Sequence, residues 1–176
     1  MKDKRIIKTQ KSIRNAFISL IKEKSLNQIT VAEISRKADL GRGTFYLHYK
    51  DLYDLYEHIE YELYNELEEM FDRSYPSCEP TNLKMILENI TEYIEENKDI
   101  FLFLIQQDSN GRKFKSFFNK KVMENSLWKE GSELNEIEST FIVSGVVGVL
   151  VEWLENGLSI QREKISNLLY KVLLKL

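Results

Sequence analysis

The chain has 176 residues, 43% of them hydrophobic, with 25 Lys/Arg against 28 Asp/Glu and one cysteine, Cys78. That length is one domain, or a small and a medium domain fused, and it can bury a substantial core. A single cysteine excludes an intrachain disulfide framework. Two histidines and the lack of a glycine-rich phosphate loop leave no catalytic constellation and no metal site, so no enzyme activity and no cofactor are expected.

The net charge of −3 divides unevenly. Residues 1–50 carry twelve Lys/Arg and four Asp/Glu, which is +8, and residues 51–176 carry the remaining −11. A basic head on an acidic body points to an anionic partner for the head alone, nucleic acid or an anionic membrane. No apolar run follows the N-terminal Lys and Arg residues to form a signal peptide. The most apolar stretch, Phe141 to Leu154, is 14 residues long and includes Ser144 and Glu152. It reads as a buried helix, too short to span a bilayer, and the chain is expected to be soluble and cytoplasmic.

In chain order, Ile13, Ala16, Phe17, Leu20 and Ile21 form a first amphipathic stripe, with Lys8, Lys11, Arg14 and Lys22 off it. Thr30 is a good N-cap for a short helix that carries Val31, Ile34 and Ala38 on one face. Asp39 tolerates a left-handed turn conformation. Leu40 returns the chain to the core, and a second short helix runs from about Arg42 to Tyr49. Asp51 can cap a long helix whose stripe is Leu52, Leu55, Tyr56, Ile59, Leu63, Leu67 and Met70. The prolines between Arg73 and Thr81 make a loop that holds Cys78. Further helices are expected at about 82–97, 100–107, 112–128, 133–155 and 161–174, with breaks at Asn110-Gly111, Gly131-Ser132 and Asn156-Gly157. No segment alternates with period two, so the fold class is all-α, with about nine helices. The charge places the domain boundary between residues 1–50 and 51–176.

The second short helix divides by period. Phe45 and Tyr49 face the core, which leaves Arg42, Thr44, Tyr46, Leu47 and His48 outside. Arg42 can bond a phosphate or bridge guanine O6 and N7. Gly43 removes a side chain where DNA can approach. The hydroxyls of Thr44 and Tyr46 and a nitrogen of His48 suit phosphate oxygens, and Leu47 suits a thymine methyl or a sugar. Lys50, beside the next helix N-terminus, can hold a phosphate together with the free N–H groups there.

Thr30 to Lys50, ending in Arg42-Gly43-Thr44-Phe45-Tyr46-Leu47-His48-Tyr49-Lys50, resembles the DNA-binding motif of the TetR family of bacterial transcriptional regulators. The resemblance extends from about Thr9 to Leu63. It departs from the family at Asp39, where glycine is frequent, and at Gly41, where a serine often caps the helix. The run Val143 to Gly157 resembles the C-terminal domain of a TetR subgroup from low-GC Gram-positive bacteria that includes an activator of dihydroxyacetone kinase genes. The resemblance implies a homodimer that binds double-stranded DNA through the head, with Thr30, Arg42, Gly43, Thr44, Tyr46, Leu47, His48 and Lys50 as contacts. It also implies a small-molecule effector in the body.

The body adds two expectations. The helix near Phe141 is apolar nearly all round, so a dimer interface is expected at Phe141, Gly145, Gly148, Val149, Trp153, Leu168 and Val172. Aromatic residues at helical spacing make either core or a pocket wall. Tyr93, Phe71, Phe114, Phe118 and Trp128 belong to that set, and His58, Tyr61, Tyr64, Phe101, Phe103 and Phe117 are the ligand-binding candidates. The expected function is a ligand-responsive repressor acting as a homodimer on a pseudo-palindromic operator, without membrane contact. The alternative is a coactivator or architectural DNA-binding factor whose C-terminal domain binds a protein partner.

Overall fold

The computed structural model describes residues 4–73, 80–108, 111–124 and 133–175. Among them are nine α-helices and no strand, so the all-α class holds. The expected loop around Cys78, the break at Asn110, and Trp128 with the Gly131-Ser132 break lie outside the described residues.

The head begins with α1 (Lys4–Ile21), whose Ile13, Ala16, Phe17 and Leu20 are buried as their spacing demands. α2 (Val31–Lys37) starts on a complete capping box. The Thr30 Oγ1 accepts from the Glu33 N–H at 3.3 Å, and the Glu33 carboxylate accepts from the Thr30 N–H at 3.0 Å. The helix ends in a Schellman motif centred on Asp39 at φ 55°. The Leu40 N–H donates to the Ser35 carbonyl at 2.9 Å, and the Asp39 N–H to that of Arg36 at 3.2 Å. α3 is regular only over Arg42–Tyr46, and the Tyr49 N–H still reaches the Phe45 carbonyl at 3.0 Å. α4 (Leu52–Arg73) follows, with the Asp51 Oδ1 accepting from the Asp54 N–H at 2.9 Å. Leu55, Ile59 and Leu63 on α4 are at most 2% exposed, as are Phe17, Ile34 and Phe45 in the preceding helices.

The chain divides into two units, Met1–Leu63 and Tyr64–Leu176, with α4 contributing to both. The first unit thus extends beyond Lys50, where the charge changes sign, to include the first half of α4.

The second unit contains α5 (Pro80–Glu96), α6 (Lys98–Gln107), α7 (Arg112–Glu124), α8 (Glu133–Glu155) and α9 (Arg162–Leu173). α5 packs along α9, and α8 packs on α7 and α6. α5 begins at Pro80, inside the expected loop, because proline is tolerated where the N–H has no intrahelical partner. Gly111 opens α7 at φ 74°, and α8 ends in a second Schellman motif at Gly157, φ 67°. Here the Leu158 N–H donates to the Trp153 carbonyl at 2.9 Å. Between α5 and α9, Arg162 meets Glu92 at 2.7 Å and Glu95 at 3.9 Å. Between α7 and α4, the buried Lys121 pairs with Glu68 and lies 3.6 Å from Asp72. The hydrogen bond from Lys121 holds the Glu68 carboxyl below its ordinary range.

Two helices of the second unit expose large apolar side chains. Ile137 and Phe141 on α8 are 66% and 71% exposed, and Leu168 and Val172 on α9 are 49% and 50% exposed. By length and composition alone, Ile137–Glu155 could cross a membrane, so the 14-residue reading underestimated it. The same helix packs on α6 and α7, with 33% of that window buried, and its remaining apolar surface faces outward.

Candidate nucleic-acid interface

The first unit presents α3 with the division its period requires. Phe45 is fully buried and Tyr49 is 5% exposed, whereas Tyr46 is 56% and Leu47 82% exposed. Arg42, Gly43 and Lys50 are also exposed, and Thr44 and His48 are half-buried. The buried rings hold the helix against the core, with Phe45 5.6 Å from both Tyr46 and Tyr49. Burial, with the Glu62 and Asp54 charges adding to it, pushes the Tyr49 phenol up to about 12, so it stays neutral. A Cβ added at Gly43 would meet nothing within 4 Å, so the chain itself leaves this surface open. Arg42, Tyr46, Leu47 and Lys50 thus form one outward patch.

Two expected contacts are already engaged within the chain. The Thr30 hydroxyl donates to the Glu33 carboxylate at 2.9 Å, which commits its proton to the capping box. At the start of α4, Asp51 accepts the Asp54 N–H, and Asp54 Oδ2 accepts the Lys50 N–H at 2.8 Å. These carboxylates occupy the N–H groups of Lys50 and Asp54, and the exposed Lys50 side chain extends from this corner. Tyr53, 58% exposed in the first turn of α4, lies three residues from Lys50 and off the stripe of Leu52 and Leu55.

Glu33 is the electrostatic hinge of the motif. Lys24 Nζ lies 2.5 Å from its carboxylate, and the Thr30 hydroxyl and N–H bond it as well. These contacts, Lys24 first, hold its pKa at about 2 against an ordinary 4.5. The folded value is below the unfolded one, so this stabilisation is complete above about 4.5 and fades as the pH falls towards about 2. Glu33→Gln should therefore lower the unfolding midpoint at neutral pH, and the difference from the parent should vanish towards pH 2. A thermal-denaturation series against pH checks this, and a gap independent of pH would refute it.

The six ligand candidates divide between the two units. His58 and Tyr61 lie on exposed faces of the first unit, with the His58 Nδ1 3.2 Å from the Asp54 carbonyl. In the second unit, Phe101 and Phe103 are buried, and Tyr64 stacks on Phe117 at 5.3 Å. A run of rings from Tyr93 through Phe101, Phe114 and Phe118 to the half-buried Phe71 packs at 4.8–5.8 Å, and the first four are core. A cavity in this unit is lined by Phe71 and Phe118 from that run, but by none of the six candidates.

Of the expected interface residues, Phe141, Gly145, Gly148, Leu168 and Val172 are exposed, and Val149 is half-buried. Trp153 is not on that face. It is 3% exposed, and its Nε1 donates to the Ile160 carbonyl at 2.8 Å across the turn into α9.

A helix-turn-helix head on an all-helical body is the architecture of a DNA-binding transcriptional regulator. Residues 81–175 match the family model TetR_C_8, transcriptional regulator C-terminal region, and the chain belongs to the TetR family. A relative in Bacillus subtilis strain 168, the uncharacterized HTH-type transcriptional regulator YxbF, is 22% identical over 114 residues, 63% of this chain and 30% of that protein. The chain spans 30% and 53% of the lengths of the two curated relatives it matches. Among solved structures, it shares its fold with NalD, the secondary repressor of the MexAB-OprM multidrug efflux pump in Pseudomonas aeruginosa. The TM-score is 0.72 at 18% identity, over 98% of this chain and 97% of that one. It also shares the fold of the dihydroxyacetone kinase operon activator DhaS, with a TM-score of 0.65 at 21% identity, over 95% and 94%.

Proposed function

We propose that this TetR-family regulator acts as a homodimer whose two heads read the half-sites of a pseudo-palindromic operator in the major groove. The observation that carries this reading is the outward patch of Arg42, Tyr46, Leu47 and Lys50 on a helix anchored by buried Phe45 and Tyr49. An aromatic ring and a leucine more than half exposed beside two cations suit base edges and phosphates better than they suit water. A dimer seated on a promoter blocks it, so repression needs no further partner surface. A ligand in the body would release it by changing the fit of the two heads to adjacent grooves. The fold likeness to DhaS, named as an activator, supports a second reading in which the body engages a protein partner.

Selection from random duplexes tests the core of the proposal. Recovered sites should show dyad symmetry with half-sites one or more helical turns apart, about 10 base pairs each. Sites without symmetry would overturn the dimeric reading. Tyr46→Ala and Lys50→Ala should weaken binding to every duplex, with Lys50→Ala reducing the salt slope by about one. Arg42→Ala should cost about 1–3 kcal/mol and relax the preference at one base pair. An unchanged base preference would make Arg42 a phosphate contact.

A further inference from the structure

The basic charge of the head does not centre on the patch of α3. α1 carries five Lys/Arg and no Asp/Glu, against the two cations Arg42 and Lys50 of that patch. Lys4, Lys8 and Lys11 stand at i, i+4 and i+7, which is one face of the helix, and all three are exposed. This face lies opposite the buried stripe of Ile13, Ala16, Phe17 and Leu20. The stripe begins only at Ile13, so about 13 Å of helix from Lys4 onward precedes it. Where α1 meets α4 a cation is matched, with Arg14 3.8 Å from Glu62. Lys4, Lys8 and Lys11 have no ion pair among the described residues. For the chain alone this arrangement is unfavourable. Lys4 and Lys8 are a like-charge i, i+4 pair, and cations in a first turn oppose the helix dipole. An anionic partner along this face would reverse the sign of both effects.

We propose that the face of Lys4, Lys8 and Lys11 is a second DNA-binding surface, which grips phosphates that Arg42, Tyr46 and Lys50 do not contact. The three lysines span about 10 Å along α1, a length over which a duplex presents about six phosphates, so each ammonium has a partner within reach. Lysine is a flexible point charge, and a phosphate contact carries no sequence information. α1 therefore supplies affinity and rate of association, while α3 supplies the choice of site. A lipid surface fits less well. From Lys4 to Ser12 only Ile6 and Ile7 are apolar, and two aliphatic residues do not make the continuous apolar face of a membrane-bound helix. The proposal rests on the DNA-binding reading of the head and is separable from it by experiment.

The test measures binding of the full chain to a duplex carrying one half-site, across a salt series. Lys4→Gln, Lys8→Gln and Lys11→Gln together should reduce the salt slope by about three. Between about 50 and 200 mM salt the parent should then lose about 40-fold more affinity than the variant. Base preference should not change, because α3 is untouched. Ethylation interference should lose phosphates other than those lost in Lys50→Ala. Glutamine is a good helix former at exposed positions, so the circular dichroism should match that of the parent. Arginine at all three positions should restore the parental slope. A parental slope in the glutamine variant, an equal loss in the arginine variant, or loss of only the Lys50 phosphates would each overturn the proposal while the reading of the head stands. Capture of the parent by phosphatidylserine vesicles, lost in the glutamine variant with its DNA slope unchanged, would assign the face to lipid instead. A parent that binds no duplex would overturn the DNA-binding reading itself, and this proposal with it.

Discussion

Phe45→Ala should unfold the head and abolish DNA binding, while Tyr46→Ala, one residue on, should weaken binding to every duplex and leave the fold intact. Phe45 is fully buried and packs on Tyr49, so truncating it removes a ring from the centre of the first unit. Such a change costs about 3–5 kcal/mol. A unit of 63 residues holds only about 3–9 kcal/mol in total, so most of its stability goes. Tyr46 is 56% exposed, and its loss should change stability by no more than about 0.5 kcal/mol. The measurement is favoured by the placement of tryptophan. Trp153 is buried in the second unit, so its emission reports on the body. Phe45→Ala should lose helical circular dichroism early on heating with the tryptophan transition unmoved. Coincident transitions at the parental midpoint would show that Phe45 is not the anchor of the head.

The head was legible because each boundary there carries its own local chemistry. Thr30 with Glu33 three residues on is a capping box, and Asp39 is among the few residue types that enter the left-handed region without a large cost. Ile34, Phe45 and Tyr49 are buried where the period puts them. What the pattern could not show is how those chemical groups are already used. The Thr30 hydroxyl and the N–H groups of Lys50 and Asp54 look available in the sequence, yet Glu33, Asp54 and Asp51 take them.

The body was legible in its elements and much less so in its faces. A stripe tells inside from outside only when one side is polar, and α8 has no such contrast between Phe141 and Leu154. Trp153 was therefore placed with Phe141 on the outer face, although the turn at Gly157 lets it reach the Ile160 carbonyl inside the subunit. Likewise, aromatic spacing cannot separate rings that pack on one another from rings that border a void. That distinction depends on contacts between helices far apart in the chain, and it set Phe71 and Phe118 against the cavity while Phe101 and Phe103 are buried away from it.

Leucine in place of Gly148 or Gly145 should stabilise the isolated chain and break the dimer. A Cβ added at either glycine meets nothing within 4 Å, and both glycines are exposed on α8, so the chain's own packing tolerates the larger residue. Replacing a mid-helix glycine by a good helix former gains up to about 1 kcal/mol. In the proposed dimer that open space is filled by the partner's helices, which approach closely because no side chain intervenes. Phe141→Asp with Leu168→Asp attacks the same face by charge, since both residues are about half exposed or more in the single chain. Sedimentation should give a monomer for each variant. Affinity for a complete operator should fall by about 10²–10⁴-fold, because the second half-site contact is no longer intramolecular. Affinity for one half-site should be unchanged. Trp153→Phe is the counter-experiment: it loses a buried hydrogen bond worth about 1 kcal/mol and should remain dimeric. If the glycine variants stay dimeric while Trp153→Phe dissociates, the interface lies on the opposite side of α8, and the exposed Ile137, Phe141, Leu168 and Val172 are not part of it.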